Sequence, residues 1–173
     1  MKKRSCLFLF CLLVFVNSVQ AQDFEKKLKE LNVELAKPTP SLANYVKAVR
    51  TGNLVFLSGH VSSRADGSGI KGKLGKDLTA EQGYEAAKLC AVGLLSSLKA
   101  EIGDLGKVKR VVKVLGMVNS APEFTDQPKV VNGCSDLLVA LFGDKGKHAR
   151  SAVGVTALPA GFAVEVEMIV EVE

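Results

Sequence analysis

An α+β domain, one sheet with helices packed on a single face, is the fold predicted for this 173-residue chain, and three observations predict it. Apolar runs of period two are interleaved with runs whose apolar positions recur every three or four residues, so strands and helices alternate along the chain. Residues 162–172 alternate most strictly. Phe162, Val164, Val166, Met168, Val170 and Val172 share one parity, while Glu165, Glu167 and Glu171 share the other, as in a strand buried on one face. Thr79 and Gln82 have capping-box spacing, and the helix they open carries Tyr84, Ala87, Ala91, Leu94, Leu95 and Leu98 on one face until Gly103.

Residues 1–21 stand apart from that fold. Lys2, Lys3 and Arg4 precede an apolar run over 6–16, and Val19, Gln20 and Ala21 supply a cleavage site before Gln22, the pattern of a secretory signal peptide. The run is shorter than the ~20 apolar residues a spanning helix needs. Phe8, Leu9 and Phe10 are too bulky for a lipoprotein cleavage site before Cys11. The expected product is therefore soluble, periplasmic or secreted, and free of the membrane in its mature form. Residues 22–40 are expected to form an N-terminal helix and linker, and 41–173 the domain.

The remaining elements follow in order. Residues 23–35 place Phe24, Leu28, Leu31 and Leu35 on one stripe of an amphipathic helix, which Pro38 and Pro40 stop. Residues 44–49 and 54–57 are strands joined through Thr51, Gly52 and Asn53, a hairpin ending at Ser58, Gly59 and His60. Residues 63–76, rich in Gly, Lys and Asp, form a surface loop. After the capped helix, 108–118 are apolar and β-branched enough for a central strand, and 122–128 are a loop. Val131, Cys134, Leu138 and Leu141 set a helix over 130–142 that ends at Gly143. Residues 151–157 form a strand, Leu158, Pro159, Ala160 and Gly161 a turn, and 162–172 the last strand, so that these two strands make a hairpin with Arg150 at its mouth. There a guanidinium can clamp a carboxylate through two parallel hydrogen bonds. No internal repeat or second domain is visible.

Composition narrows the function. The net charge of +5 falls to +2 once the three basic residues of 1–21 are removed, leaving 20 basic against 18 acidic residues. Five Phe, two Tyr and no Trp remain in the mature chain. That is neither a basic stripe nor a set of stacking platforms, so nucleic acid is not an expected partner. Cys90 and Cys134 could bridge in an oxidising compartment, but both lie in apolar helical patterns, and buried free thiols are the expected reading. With only His60 and His148 beside them, no metal site is expected.

The chain resembles the Rid family of reactive intermediate deaminases, also called the YjgF or endoribonuclease L-PSP family. The resemblance spans about 42–173. Its strongest part is residues 149–167, with Arg150 and Ser151, a strand, Leu158 and Pro159, and a final strand carrying Glu165 and Glu167. Supporting matches are Asn44, Tyr45 and Val46; Gly52 and Asn53 before an apolar strand; Ser58 and Gly59; and Val131 and Asn132. The resemblance implies a chorismate-mutase-like mixed sheet that assembles as a homotrimer with ligand clefts between subunits. It also implies hydrolysis of small 2-imino and enamine acids to 2-keto acids and ammonia, without a metal or organic cofactor.

By the same resemblance Arg150 binds the substrate carboxylate and Glu165 orients the attacking water, a general-base role. Alternation alone would also place a solvated or salt-bridged glutamate at 165. Tyr45 lines the pocket from a neighbouring subunit, or is an interface or core tyrosine. Ser58 and Gly59 let backbone approach the ligand at a strand end, or merely end the strand. Asn132 offers its amide to the pocket or caps the second helix. Ala152 stands where the family often has cysteine; it contributes its backbone N–H and excludes thiol chemistry. His60 takes the place of a frequent glutamine and is expected to be structural, and His148 to sit in a solvated basic turn. The partner is a small carboxylate-bearing ligand, a 2-imino or 2-keto acid. The rival reading uses the same cleft to hold a stable small carboxylate without turnover. A ribonuclease ranks below both, for want of paired histidines or a basic aromatic groove.

Overall fold

A computed structural model of the chain describes residues 24–38 and 43–173; the expected signal peptide, 1–21, lies outside the described residues. In chain order the elements are α1 (Phe24–Glu30), β1 (Ala48–Thr51), β2 (Leu54–Val61), α2 (Ala80–Ile102), β3 (Val108–Asn119), α3 (Gln127–Phe142), β4 (Ala149–Val155) and β5 (Val164–Val172). The strands form one mixed sheet in the order β1-β2-β5-β3-β4, antiparallel except for the parallel pair β3 and β4. The α+β expectation, with helices on one face, describes this architecture.

The expected hairpin between the last two strands does not form. β3 lies between them, paired along its length with β4 on one side and β5 on the other. Residues 158–161 carry the chain across the end of β3, where Asn119 N–H donates to Ala163 O at 2.9 Å and Ser120 N–H to Val155 O at 3.3 Å. Alternation reports which face of a strand is buried and says nothing of its neighbour. The crossover through α3 brings β4 in parallel to β3, which leaves the other edge of β3 for β5.

Element ends also moved. α1 is a seven-residue helix rather than the expected 23–35, because Asn32 takes a left-handed φ of 54° and Val33 N–H turns back to Leu28 O. So short a helix is not stable alone. It is held by burial of Phe24 and Leu28, with the Phe24 ring centroid 5.5 Å from that of Phe142. β1 begins at Ala48 instead of 44. α3 begins at Gln127, with Pro128 in the first turn where its missing N–H costs nothing. The capping box forms as expected, with Thr79 Oγ1 accepting from Gln82 N–H and Gln82 Oε1 accepting from Thr79 N–H.

The core lies between α2, α3 and one face of the sheet. Ala87, Cys90, Leu94 and Leu98 of α2 and Val131, Cys134 and Leu138 of α3 are fully buried against Val114, Val166 and Val170. Among the described residues no helix lies over the opposite sheet face. There Val49 pairs with Phe56, which pairs with Ile169, and Val49 and Phe56 are 54% and 42% exposed. Among the described residues no helix is long and apolar enough to cross a membrane.

Candidate functional site

Arg150 is the second residue of β4, with Val114 as its cross-strand partner, so its side chain leaves the sheet on the helix-covered face beneath α3. There it is held firmly. Nη1 donates to Asn132 Oδ1 at 2.8 Å and to Ser135 Oγ at 3.0 Å, and Nη2 donates to Pro128 O at 3.3 Å. Asn132 must present oxygen to a group that only donates. A guanidinium has five N–H donors. Among the described residues three are engaged, and the two left, on the neighbouring nitrogens Nε and Nη2, suit a carboxylate accepting two parallel bonds.

A second layer fixes the first. His148 Nδ1 lies 2.6 Å from Gly146 O and therefore carries the proton, since a carbonyl can only accept. Its Nε2 then accepts from Ser135 O–H at 3.1 Å, and Ser135 accepts from Arg150 through the remaining lone pair. Burial lowers the His148 pKa and the Arg150 cation lowers it further, against the opposing bond to Gly146. The neutral ring required by this chain of bonds is thus the favoured one. The expectation of a solvated turn at His148 is corrected: the ring is half-buried and braces the arginine through Ser135. Asn132 is no helix cap either. It lies within α3 because that helix starts five residues earlier, at Gln127.

Glu165 belongs to a different cluster. Its cross-strand partner is Met117, whose partner in β4 is Val153, so it points to the open face of the sheet, opposite to Arg150. The side chain is half-buried and lies against Gly59, where a Cβ would overlap Glu165 Oε1. Burial raises the carboxyl pKa above its usual 4.5, Glu167 raises it further and Lys47 opposes both. Gly59 and Ser58 are not at a strand end as expected. β2 runs on to Val61, and the two residues form an irregularity between Leu57 and His60 where the register with β5 shifts. A bulge of this type re-aims side chains within a continuing strand. Ser58 Oγ donates to Val46 O at 2.7 Å, and Ser58 N–H donates to Lys47 O at 3.0 Å. Both bonds tie down the segment that carries Tyr45, which is 49% exposed with Lys47 Nζ 5.7 Å from its ring centroid.

The candidate residues therefore form two clusters in one chain. Arg150, Asn132 and Ser135 form one, with Ala152 two residues along β4, partly buried against the core. Glu165, Gly59, Ser58 and Tyr45 form the other, and the sheet separates them. Sequence reasoning missed Ser135 and the carbonyl of Pro128. Ser135 follows Asn132 by three residues, the spacing that puts both on one helix face, and that was the signal available. His60 is bonded at both ring nitrogens, to Ser58 O and Ser97 Oγ, each at 2.7 Å. Cys90 and Cys134 are the buried free thiols expected, and burial pushes the Cys134 pKa up to about 12 and that of Cys90 well above its usual value. Among the described residues no three His, Cys, Asp or Glu side chains group as metal ligands.

The two histidines carry a pH prediction. Burial depresses both from 6.5 in the folded state, so on acidification the unfolded chain binds protons first, and folding stability is lost as pH falls from 6.5 toward the depressed values, the loss being complete below them. The melting temperature should drop between pH 7.5 and 5.5, and the variant H60Q/H148Q should show a smaller drop. Glu165 pulls the other way, its raised pKa favouring the folded state as it protonates, but chiefly at lower pH. Parallel pH profiles for wild type and variant would refute the assignment.

Comparison with known proteins places these residues in a family context. Residues 25–172, starting within α1, match the family model described as "YjgF/chorismate_mutase-like, putative endoribonuclease". Protein TCP17 of Trypanosoma cruzi is 44% identical over 145 residues, covering 83% of this chain and 91% of the relative. The crystal structure of Atu1372 from Agrobacterium tumefaciens, a protein of unknown function, superposes with a TM-score of 0.82 at 40% identity, covering 87% of this chain and 92% of that one. A "putative endoribonuclease" from Shewanella oneidensis also gives a TM-score of 0.82, at 28% identity, covering 86% of this chain and 99% of that one.

Proposed function

From the premise that the chain belongs to the YjgF/Rid family, whose fold it has, we propose that it is an imine deaminase working in a cleft between subunits of a homotrimer. One observation carries the reading. Arg150 keeps two donors on one edge uncommitted while three other bonds hold it in place, and the carboxylate of raised pKa, Glu165, faces away from it across the sheet. Neither cluster is sufficient alone. A second copy laid on the open face can bring the Arg150 cluster of its edge strand β4 up to the Glu165 cluster of the first, and the exposed apolar pair Val49 and Phe56 gives that face a reason to be covered.

In this cleft the substrate carboxylate pairs with Nε and Nη2 of Arg150. Glu165 accepts a proton from water as its oxygen bonds to the imine carbon, and the proton passes to nitrogen. The second water proton then moves from the carbinol oxygen to nitrogen as the carbon–nitrogen bond breaks, so that ammonia leaves and a 2-keto acid remains. An enamine acid first takes a proton on carbon to become the imine. Tyr45 covers the bound acid, while Ser58, Gly59 and the backbone at Ala152 shape the walls. Ribonuclease chemistry through paired histidines has no support in the geometry, because His60 and His148 bond to serines on different helices.

The test is keto-acid formation from freshly generated 2-iminopropionate. The mature protein should accelerate it over spontaneous hydrolysis and scatter light as a particle of three chains. A monomer, or a rate equal to the spontaneous one, would sink the deaminase reading. Residues 1–21 support a periplasmic or secreted location, for which N-terminal sequencing should read Gln22 first; protein that begins at Met1 would refute export.

A further inference from the structure

A cavity of about 490 Å³ lies between α2 and the segment that follows α1, and neither Arg150, Asn132 nor Glu165 lines it. Its volume is that of a small-molecule site. Leu89 and Val92 of α2 and Ala36 and Pro38 of the N-terminal segment make apolar walls. At its polar end stands His60, whose ring fits closely against Gly93, where a Cβ would come within 3.1 Å of Cδ2. The ring's Nδ1 donates to Ser58 O and its Nε2 accepts from Ser97, so the histidine is fixed in one tautomer. Lys37, Lys47 and Arg64 also line the cavity, with Glu34 the one acid in its lining, while Lys47 also acts on Glu165 and Arg64 on Asp66 from outside it. None of the three cations forms an ion pair among the described residues.

We propose that this cavity is a second binding site, one that takes a small amphipathic anion with its charged head among Lys37, Lys47 and Arg64 and its apolar chain along Leu89 and Val92. Three cations held by no close carboxylate around one cleft attract an anion. The apolar stretch of Leu89, Val92, Ala36 and Pro38, beside the serines Ser63, Ser96 and Ser97, rewards an apolar chain that a small, fully hydrated anion lacks. The cavity borders the Glu165 cluster through Lys47, which lies 5.7 Å from the Tyr45 ring centroid, and through His60, bonded to Ser58 O, but Arg150, Asn132 and Glu165 do not line it.

The presence of only two histidines makes the test direct. Imidazole ¹⁵N signals, assigned by their loss in H60Q and H148Q, are followed in the full mature protein during titration with octanoate, octanol, octyl phosphate and acetate. Octanoate should shift the His60 signals saturably and leave those of His148 in place, with acetate silent. Octanol should bind ~10-fold or more weakly, as should octanoate to the variant K37E/R64E, because each lacks charge-assisted contacts. Octyl phosphate binding as well as octanoate would show that the site reads negative charge and chain rather than the carboxylate geometry. No saturable shift at His60, a shift at His148 instead, or equal affinity for octanol and octanoate would overturn the proposal. The wild-type titrations decide it even if the double variant fails to fold. They do not depend on deaminase activity, so failure here and failure of the imine assay are distinguishable.

Discussion

Gly133→Ala is expected to destabilise the protein by about 3 kcal/mol, a fall of roughly 6–12 °C in melting temperature for a domain of this size. Gly133 sits inside α3 where it crosses α2, and a Cβ there would overlap the carbonyl oxygen of Tyr84, with Tyr84 C at 2.8 Å and Lys88 N at 3.2 Å. The obstacle is helix backbone, which cannot turn aside as a flexible side chain can. Alanine is worth about 0.5–1 kcal/mol over glycine inside a helix, so the propensity gain is smaller than the packing loss. The helices would have to separate, and the buried contacts of Cys90, Leu94, Cys134 and Leu138 loosen with them. The bond from Tyr84 O–H to Asp136 Oδ2, 3.0 Å, spans the same crossing and would stretch. Circular dichroism melts decide the matter: a variant melting at the wild-type temperature would mean that α2 and α3 do not meet at this glycine.

The same crossing shows what the sequence could and could not tell. Thr79 and Gln82 announced the start of α2 because a capping box is closed within four residues, and the parity of β5 was readable because alternation needs only its own strand. Pairing is a relation between distant segments. The insertion of β3 between β4 and β5 was therefore invisible, and the expected hairpin with Arg150 at its mouth did not show that Arg150 and Glu165 lie on opposite faces. Gly133 carried no local mark of its role, since its constraint comes from Tyr84 on another helix. Arg150 and Asn132 were singled out separately, but their bond depends on the turn of α3 over β4. Ser135 and His148 entered the site through hydrogen bonds that no spacing within a single element encodes. The long run of β2 was missed because Ser58 and Gly59 read as a stop, when the register shift lets the strand bend and continue.

Arg150→Ala is expected to lose carboxylate binding and turnover together, with kcat/KM down about 30- to 1000-fold, the equivalent of ~2–4 kcal/mol for a bidentate charge-assisted pair. The loss goes beyond the substrate contact, for Asn132 Oδ1, Ser135 Oγ and Pro128 O would all lose a donor. Arg150→Lys should recover little, since one ammonium cannot hold three acceptors and a planar carboxylate at once. Glu165→Gln removes the proton acceptor but keeps the shape, so kcat should fall with binding nearly intact. Gly59→Ala supplies an independent check. Its methyl group displaces the free end of Glu165, a flexible side chain, so the fold should survive while kcat drops on the order of 100-fold, as a misplacement of about 1 Å can cause. If the protein only holds a stable small carboxylate, the wild type will show no acceleration, yet calorimetry will still detect 2-keto acid binding that Arg150→Ala abolishes. Should wild type and Arg150→Ala behave alike in both the deaminase assay and the titration, Arg150 is not the carboxylate clamp, and both readings of the cleft fail together.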